Sequence, residues 1–516
     1  MLHHTAICET SEMNITARFL FLFIMMLGFG MKPAGAQSER EIEYDAENVE
    51  YDKNIADGAF RLWDNVIFTH EGARMYCDSA YYYPDKNSLD AYDNIFINQG
   101  DTLSLYGDFL HYDGNSRFAQ VEGKIVRLED KNNELTTTVL DFDMKNNIGY
   151  YTTWANILRG ENKLRSRVGY YYSQKHMYFF KDSVVIINPD YTIYSDTLEY
   201  NTEMNMAYML GPTRIISDSN DIYCEEGWYD MEKNISMLKK NAMMKNRKQT
   251  IKGDSLYYER DNGFGKAFSR VELFDEEQNV ILKGNFADYN EKTENSLLTD
   301  SAVFIQITDE DSIYVHADTL RSELDTTGSK LIRAYFKVKL YKSNMQGKCD
   351  SMTYSFADSI IRLYYEPVLW SEGNQLTADY IEIATKNRRV DKMYLQQMAF
   401  IASKADSLNF NQIKGRDMIC YFAEDELYKI DVMGNGESIY YLVEEDEILG
   451  VNKSQSSNII IYWAEGRVQS IKSEPNPDAT LYPLDELPET ESRLRDFKWL
   501  EDFRPKSKYE IFYWTE

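Results

Sequence analysis

A phrase of about six residues returns along this chain roughly every thirty residues: CDSAYY from Cys77, GDFLHY from Gly107, SDTLEY from Ser195 and GDSLYY from Gly253. A period of that length marks a repeat array, in which each unit buries its apolar face only by stacking on its neighbours. With the acidic residue as anchor, copies fall at Glu47, Asp78, Asp108, Thr138, Arg167, Asp196, Glu225, Asp254, Asn285, Asp318, Asp350, Asp379 and Asp417. That is about thirteen copies, with steps of 29 to 33 residues and a last step of 38.

The columns of this register alternate in character with period two, as side chains do on a strand. Two positions after the anchor stand Val49, Ala80, Leu110, Leu140, Leu198, Leu256 and Ala287, in a column that is apolar or Gly in every copy. Four positions after it stand Tyr82, Tyr112, Phe142, Tyr200 and Tyr258, in a column that is Tyr in ten of thirteen copies. These two columns are the candidate ligand-contacting residues. The column between them, with His111 and Glu199, is mixed and mostly polar and faces outward. The residue just before the anchor is small everywhere except at Arg416, which suits a bulge or a sheet corner where backbones crowd. Cys77, Cys224 and Cys349 occupy that column several copies apart, too distant to pair when strands are spaced about 4.8 Å.

Each copy holds a second apolar stretch, such as NIFINQ from Asn94 or SVVIIN from Ser183, separated from the first by turn sequences such as PDKN from Pro84 and RDNG from Arg260. The unit is therefore strand, turn, strand, turn, with the short loops of antiparallel hairpins. The expected fold is all-β: an elongated, bent antiparallel stack of about 26 strands, folded at the small-residue column so that an apolar trough runs between two sheet halves. The expected organisation is an export signal at 1–36, a first array at 37–299, a less regular second array at 300–471 and a Pro-rich tail at 472–516. In the tail, Leu494, Phe497, Trp499, Leu500 and Phe503 lie near helical spacing and predict a short amphipathic helix.

Chemistry is sparse. There is no H-x-x-x-H pair, no G-x-S-x-G elbow and no phosphate-binding glycine loop, so no catalytic residue, metal site or cofactor is expected. The recurring Asp has two readings, as a cap on free backbone groups or Tyr hydroxyls at the bend, or as a calcium ladder lacking the usual glycine pattern. With 84 acidic against 56 basic side chains the surface repels a phosphate backbone, which excludes nucleic acid as partner. Arg18, the apolar run Phe19 to Met31 and the small triplet Ala34, Gly35, Ala36 read as a secretory signal cleaved before Gln37. The mature chain is then expected outside the cytoplasm, soluble or peripheral to a membrane.

Tandem strands carrying G-D-x-L-x-Y phrases, an export signal and the lack of a catalytic motif resemble the OstA-like proteins, the family of LptA and of the N-terminal domain of LptD. The resemblance covers Ala46 to about Ser301. It implies a bent β-jellyroll with V-shaped strands and an interior that shields the acyl chains of lipopolysaccharide. It also implies a periplasmic, non-enzymatic carrier that works with transport components at the inner and outer membranes, in association with outer membrane assembly. It allows two arrangements, one chain spanning the gap or copies stacked end to end. The alternative is a secreted β-solenoid with a polysaccharide-active or adhesive role.

Overall fold

The computed structural model describes residues 41–514, apart from 52, 54–57, 101–102, 131–132, 309–310, 388, 425, 445–446 and 465–466. The export signal expected at 1–36 lies outside them. The described residues form one antiparallel sheet of 36 strands and no α-helix, an elongated bent β-jellyroll as the repeat requires. Successive strands pair with one another in an up-and-down meander, as Phe60–His70, Ala73–Tyr83, Ser88–Gln99 and Leu103–Asp113 do.

The bend follows from a slip in side-chain phase. Along Ala73–Tyr83 the buried residues are Ala73, Met75 and Cys77, then Ala80 and Tyr82. A one-residue slip in a flat strand would turn the second limb's apolar residues to solvent. Here it coincides with a corner, so both limbs look into one interior. Val66 pairs with Cys77 and Trp63 with Ser79, which leaves Asp64 and Asn65 facing Asp78 alone, a β-bulge.

The same two-against-one arrangement recurs through the sheet. The intervening strands turn the corner on two consecutive left-handed residues: Asp64–Asn65, Asp93–Asn94, Asp182–Ser183, Lys240–Asn241, Ser269–Arg270, Asp300–Ser301, Phe336–Lys337 and Gln397–Met398, all with φ between 51° and 68°. The anchor side chain fastens that pair. Asn94 Nδ2 donates to Asp78 Oδ2 at 2.7 Å, Arg270 Nε to Asp254 Oδ1 at 2.7 Å, and Asn241 Nδ2 to Glu225 Oε1 at 2.8 Å. The Asp ladder is thus a row of corner fasteners, and among the described residues no group of His, Cys, Asp or Glu is arranged to hold a metal ion.

Smallness before the anchor has a steric cause. A Cβ on Gly107 would lie 2.3 Å from Val121 Cγ1, and one on Gly415 would lie 2.5 Å from Val432 Cγ1. The second collision corrects the register of the last copy. Gly415 pairs with Ala399 and Asp417 with Gln396, so the bulge encloses Arg416, which is the true anchor. Its inward residues are Met418 and Cys420, and the small column has no exception there. A further copy follows on Glu447–Ala464, with Ser456 in the small column and Ile459 and Ile461 fully buried. The boundary drawn at Asp300 falls inside the strand Asn295–Gln306, at its left-handed pair, and the sheet runs through it. All four described cysteines are free and buried.

The helix expected near Glu491 is not formed. The tail has only short 3-10 turns, such as Glu489–Glu491 and Glu501–Phe503, and runs back along the outer face of the second array. Between those turns, several of its backbone groups bond to side chains of the array. Gln412 accepts from Leu494 N–H at 2.8 Å and donates to the Ser492 carbonyl at 2.9 Å. Gln375 accepts from Leu500 N–H at 2.6 Å and donates to the Lys498 carbonyl at 2.7 Å. Gln346 accepts from Arg504 Nε at 2.7 Å, Lys453 pairs with Glu491, and Lys508 stands 5.3 Å from the Tyr314 ring centre. Tyr314, Gln346, Gln375, Gln412 and Lys453 share one column, four before the anchor. Leu494, Phe497 and Trp499 pack over Phe400, Ala402, Ile439, Tyr441 and Val451.

Candidate functional site

The two limbs of every bent strand wall a seam. One wall consists of the two columns singled out from the repeat. Ala80, Leu110, Leu140, Leu198, Leu256, Ala287, Tyr82, Tyr112, Phe142, Tyr200 and Tyr258 all point inward and are at most 6% exposed. Val49 is the departure, 47% exposed on the short strand Asn48–Tyr51, which pairs only with Phe60–His70 at the first edge of the sheet.

The facing wall is the column three before the anchor, which the repeat phrase does not include: Met75, Leu105, Leu135, Leu164, Ile193, Ile222, Ile251, Leu282 and Val315, all buried. Its uniform aliphatic character was visible in the same register. It lies upstream of the acidic residue and so outside the phrase that marks the repeat.

Opposite the corner, the limb tips meet, and there the Tyr column finds its partners. His70 Nδ1 and Tyr112 Oη lie 2.7 Å apart. Gln99 Nε2 donates to the Met144 carbonyl at 3.1 Å, Tyr171 donates to Asp130, and Arg159 Nη1 donates to Tyr200 Oη at 3.0 Å. Tyr191 and Tyr229 meet edge to face at 5.4 Å. Asn220 Nδ2 and Asn246 Nδ2 donate to the hydroxyls of Tyr258 and Tyr289 at 3.4 and 3.3 Å, and Lys330 reaches Asp275 at 3.5 Å. Each bridge joins one sheet half to the other. Together they form a clasp of side chains along the mouth of the seam, most of it carried by the Tyr column.

Burial raises the pKa of Tyr112, and burial together with the bond to Asp130 raises that of Tyr171, so both hydroxyls stay protonated and can donate. Burial also pushes the Cys77 and Cys224 thiols up to about 12, which keeps them inert. The seam is packed. A void of about 20 Å³ lined by Ile157, Leu164, Tyr178, Phe180, Ile186 and Tyr200 has room for about one water molecule. An apolar chain is accommodated only if the limbs part.

Residues 41–196 and 215–306 match the family model described as OstA-like protein. No curated protein matches the chain. Among solved structures, the crystal structure of LptH from Pseudomonas aeruginosa, described as the LptA homologous periplasmic component of the conserved lipopolysaccharide transport device, is similar at 15% identity. The likeness covers 33% of this chain and 81% of that one, with a TM-score of 0.13.

Proposed function

We propose, from the premise that residues 41–196 and 215–306 belong to the OstA-like proteins, that this chain is a component of lipopolysaccharide transport, a carrier and not an enzyme. The observation that carries this reading is the seam. It is an apolar interior with two aliphatic walls, continuous from Leu62 to Ile461 and set between limbs joined by covalent structure only at the corner. Its ligand is the acyl part of the lipid, lipid A in lipopolysaccharide. Each methylene moved from water into such an interior gains about 0.8 kcal/mol, so a chain of ten or more carbons favours the seam strongly. Near-identical copies make successive positions close in energy and permit sliding. Direction comes from outside the chain, from transport components at the inner and outer membranes. The place of action is the periplasm, and the acidic exterior keeps anionic headgroups off the outer face.

Photo-reactive residues placed singly at Leu110, Leu198 and Leu256 on one wall, and at Leu105 and Ile193 on the other, test this in cells. All five are expected to label lipopolysaccharide, while His111 and Glu199, which face outward, are expected to stay unlabelled. Equal labelling of both sets, or none anywhere, overturns the reading.

A further inference from the structure

We infer that the clasp along the seam's mouth is a row of independent latches, and that an acyl chain is admitted sideways by opening two or three neighbouring latches rather than by threading from an end. The inference rests on the lipid-carrier reading and adds to it the route of loading.

Three observations carry it. First, the seam is filled. Apart from Val49 at the first edge, the wall residues named above are at most 9% exposed, so an open trough does not exist with the clasp shut. Second, the corner is the rigid side. Backbone pairing runs through both limbs up to the bulge, and anchor side chains fasten it, as Asp78 holds Asn94 at 2.7 Å. The mouth is joined by side chains instead, as by Arg159 to Tyr200 at 3.0 Å or Asn246 to Tyr289 at 3.3 Å. Parting the limbs there breaks no sheet hydrogen bond. Third, the latches are periodic and separate. Partners lie about forty residues apart, as in His70 with Tyr112 and Asn220 with Tyr258, and each pair closes its own stretch of mouth. A swung Tyr keeps its ring against the apolar chain and turns its hydroxyl to water or to a headgroup, so the open state leaves no hydroxyl stranded.

The test is the rate at which the purified mature chain takes up cis-parinaric acid, a fluorescent fatty acid that brightens in apolar surroundings. The quadruple variant Tyr112→Phe, Tyr200→Phe, Tyr258→Phe and Tyr289→Phe removes four hydroxyls and keeps the rings. Its association rate is expected to rise roughly tenfold, about the effect of losing one or two net hydrogen bonds at the opening step. Tyr258→Phe and Tyr289→Phe singly give the same sign with the fold least disturbed. In a second arm, His70→Cys with Tyr112→Cys and Asn246→Cys with Tyr289→Cys are joined across the mouth by a short bis-maleimide. Uptake is expected to slow at least tenfold and to recover when only one cysteine of each pair is present.

If the wild type binds the probe and the Phe variants bind it at the same rate, or the stapled chain loads normally, the latches are refuted and the carrier reading stands. If neither the wild type nor any Phe variant binds it at all, the carrier reading itself falls. A wild type that stays dark beside a variant that brightens supports the latches outright.

Discussion

The first and second arrays share one interior and differ in how they hold it. Up to about residue 306 the mouth of the seam is clasped, and the outer face is bare until the tail reaches it from about Arg270 onward, where Lys508, Tyr509 and Phe512 border a cleft with Val271 and Val303. The column four before the anchor there reads Arg74, Ser104, Glu134, Lys163, Thr192, Asp221, Thr250 and Ile281, and of these only Thr250 is buried. Beyond that point the Tyr column thins to Ser322, Tyr354, Ile383, Cys420 and Ile461, while the outer column becomes Tyr314, Gln346, Gln375, Gln412 and Lys453 and binds the tail. Strands also lengthen, to 16 residues in Arg389–Lys404 and 19 in Glu426–Glu444. The family match ends at residue 306, close to where the outer column changes, while the bent sheet itself continues. Inward columns thus preserve the fold, and outward and mouth columns are free to take on separate tasks.

Removing the tail after Pro483 is the strongest way to separate the two arrays. Leu494 and Ile511 alone bury side chains worth about 1.5–3 kcal/mol each, and with the lost glutamine bonds the second array is expected to weaken by on the order of 5 kcal/mol. Limited proteolysis read by mass spectrometry is expected to cut the second array first and leave residues 41–300 protected. Uniform cutting of both would mean that the tail braces the whole molecule.

Leu110→Ala and Leu376→Ala probe what the arrays share. Both side chains are buried on the seam, at 0% and 3% exposure, and each truncation is expected to cost about 2–5 kcal/mol in urea melts. A large loss in one array with almost none in the other would break the claim of a common interior. Gln375→Ala and Thr192→Ala probe what they do not share. The first leaves Leu500 N–H and the Lys498 carbonyl without their partner and is expected to cost about 1–3 kcal/mol, while the second is expected to stay within about 0.5 kcal/mol.

The smallest effect is in alkali. Burial raises the pKa of Tyr112, Tyr151, Tyr200 and Tyr258 in the first array and pushes the Cys77 thiol from 9.0 to about 12. A folded-state pKa above the unfolded one gives stability that is complete below the unfolded value and drains as pH rises through the folded one. The first array, richer in buried phenols, is therefore expected to lose stability ahead of the second between about pH 9 and 12. Tyrosinate absorbance and circular dichroism followed together check this, and simultaneous loss would refute it.

Much of this was legible in the sequence, because a column that must fill one interior is restricted to a few residue types. Leu110, Leu198 and Ala287 gave away one wall, and Cys77, Gly107 and Ser195 the corner. The rest was hidden for physical reasons. The left-handed pairs are Asp–Asn, Lys–Asn, Ser–Arg or Phe–Lys, since the fastening by the anchor and the bulge geometry hold the conformation whatever the side chain. The clasp partners His70, Asp130, Arg159 and Asn220 share only a position and the capacity to hydrogen-bond. Arg416 was misassigned because the Asp that follows it imitates the usual phrase. The tail's helical spacing was real, and glutamines on the sheet outcompeted the helix for its backbone groups.

The corner has a consequence for length. Because most corners are completed by two adjacent strands, commonly with an acid or amide on one and a left-handed pair on the other, a block of about thirty residues carries its own hinge and its own ends. Excising one block, for instance Arg270 through Asp300, rejoins Ser269 to Ser301 at equivalent points of the bulge and leaves the neighbours in phase. The molecule is in that sense measured out in uniform increments, each adding two strand widths, about 10 Å, to its reach.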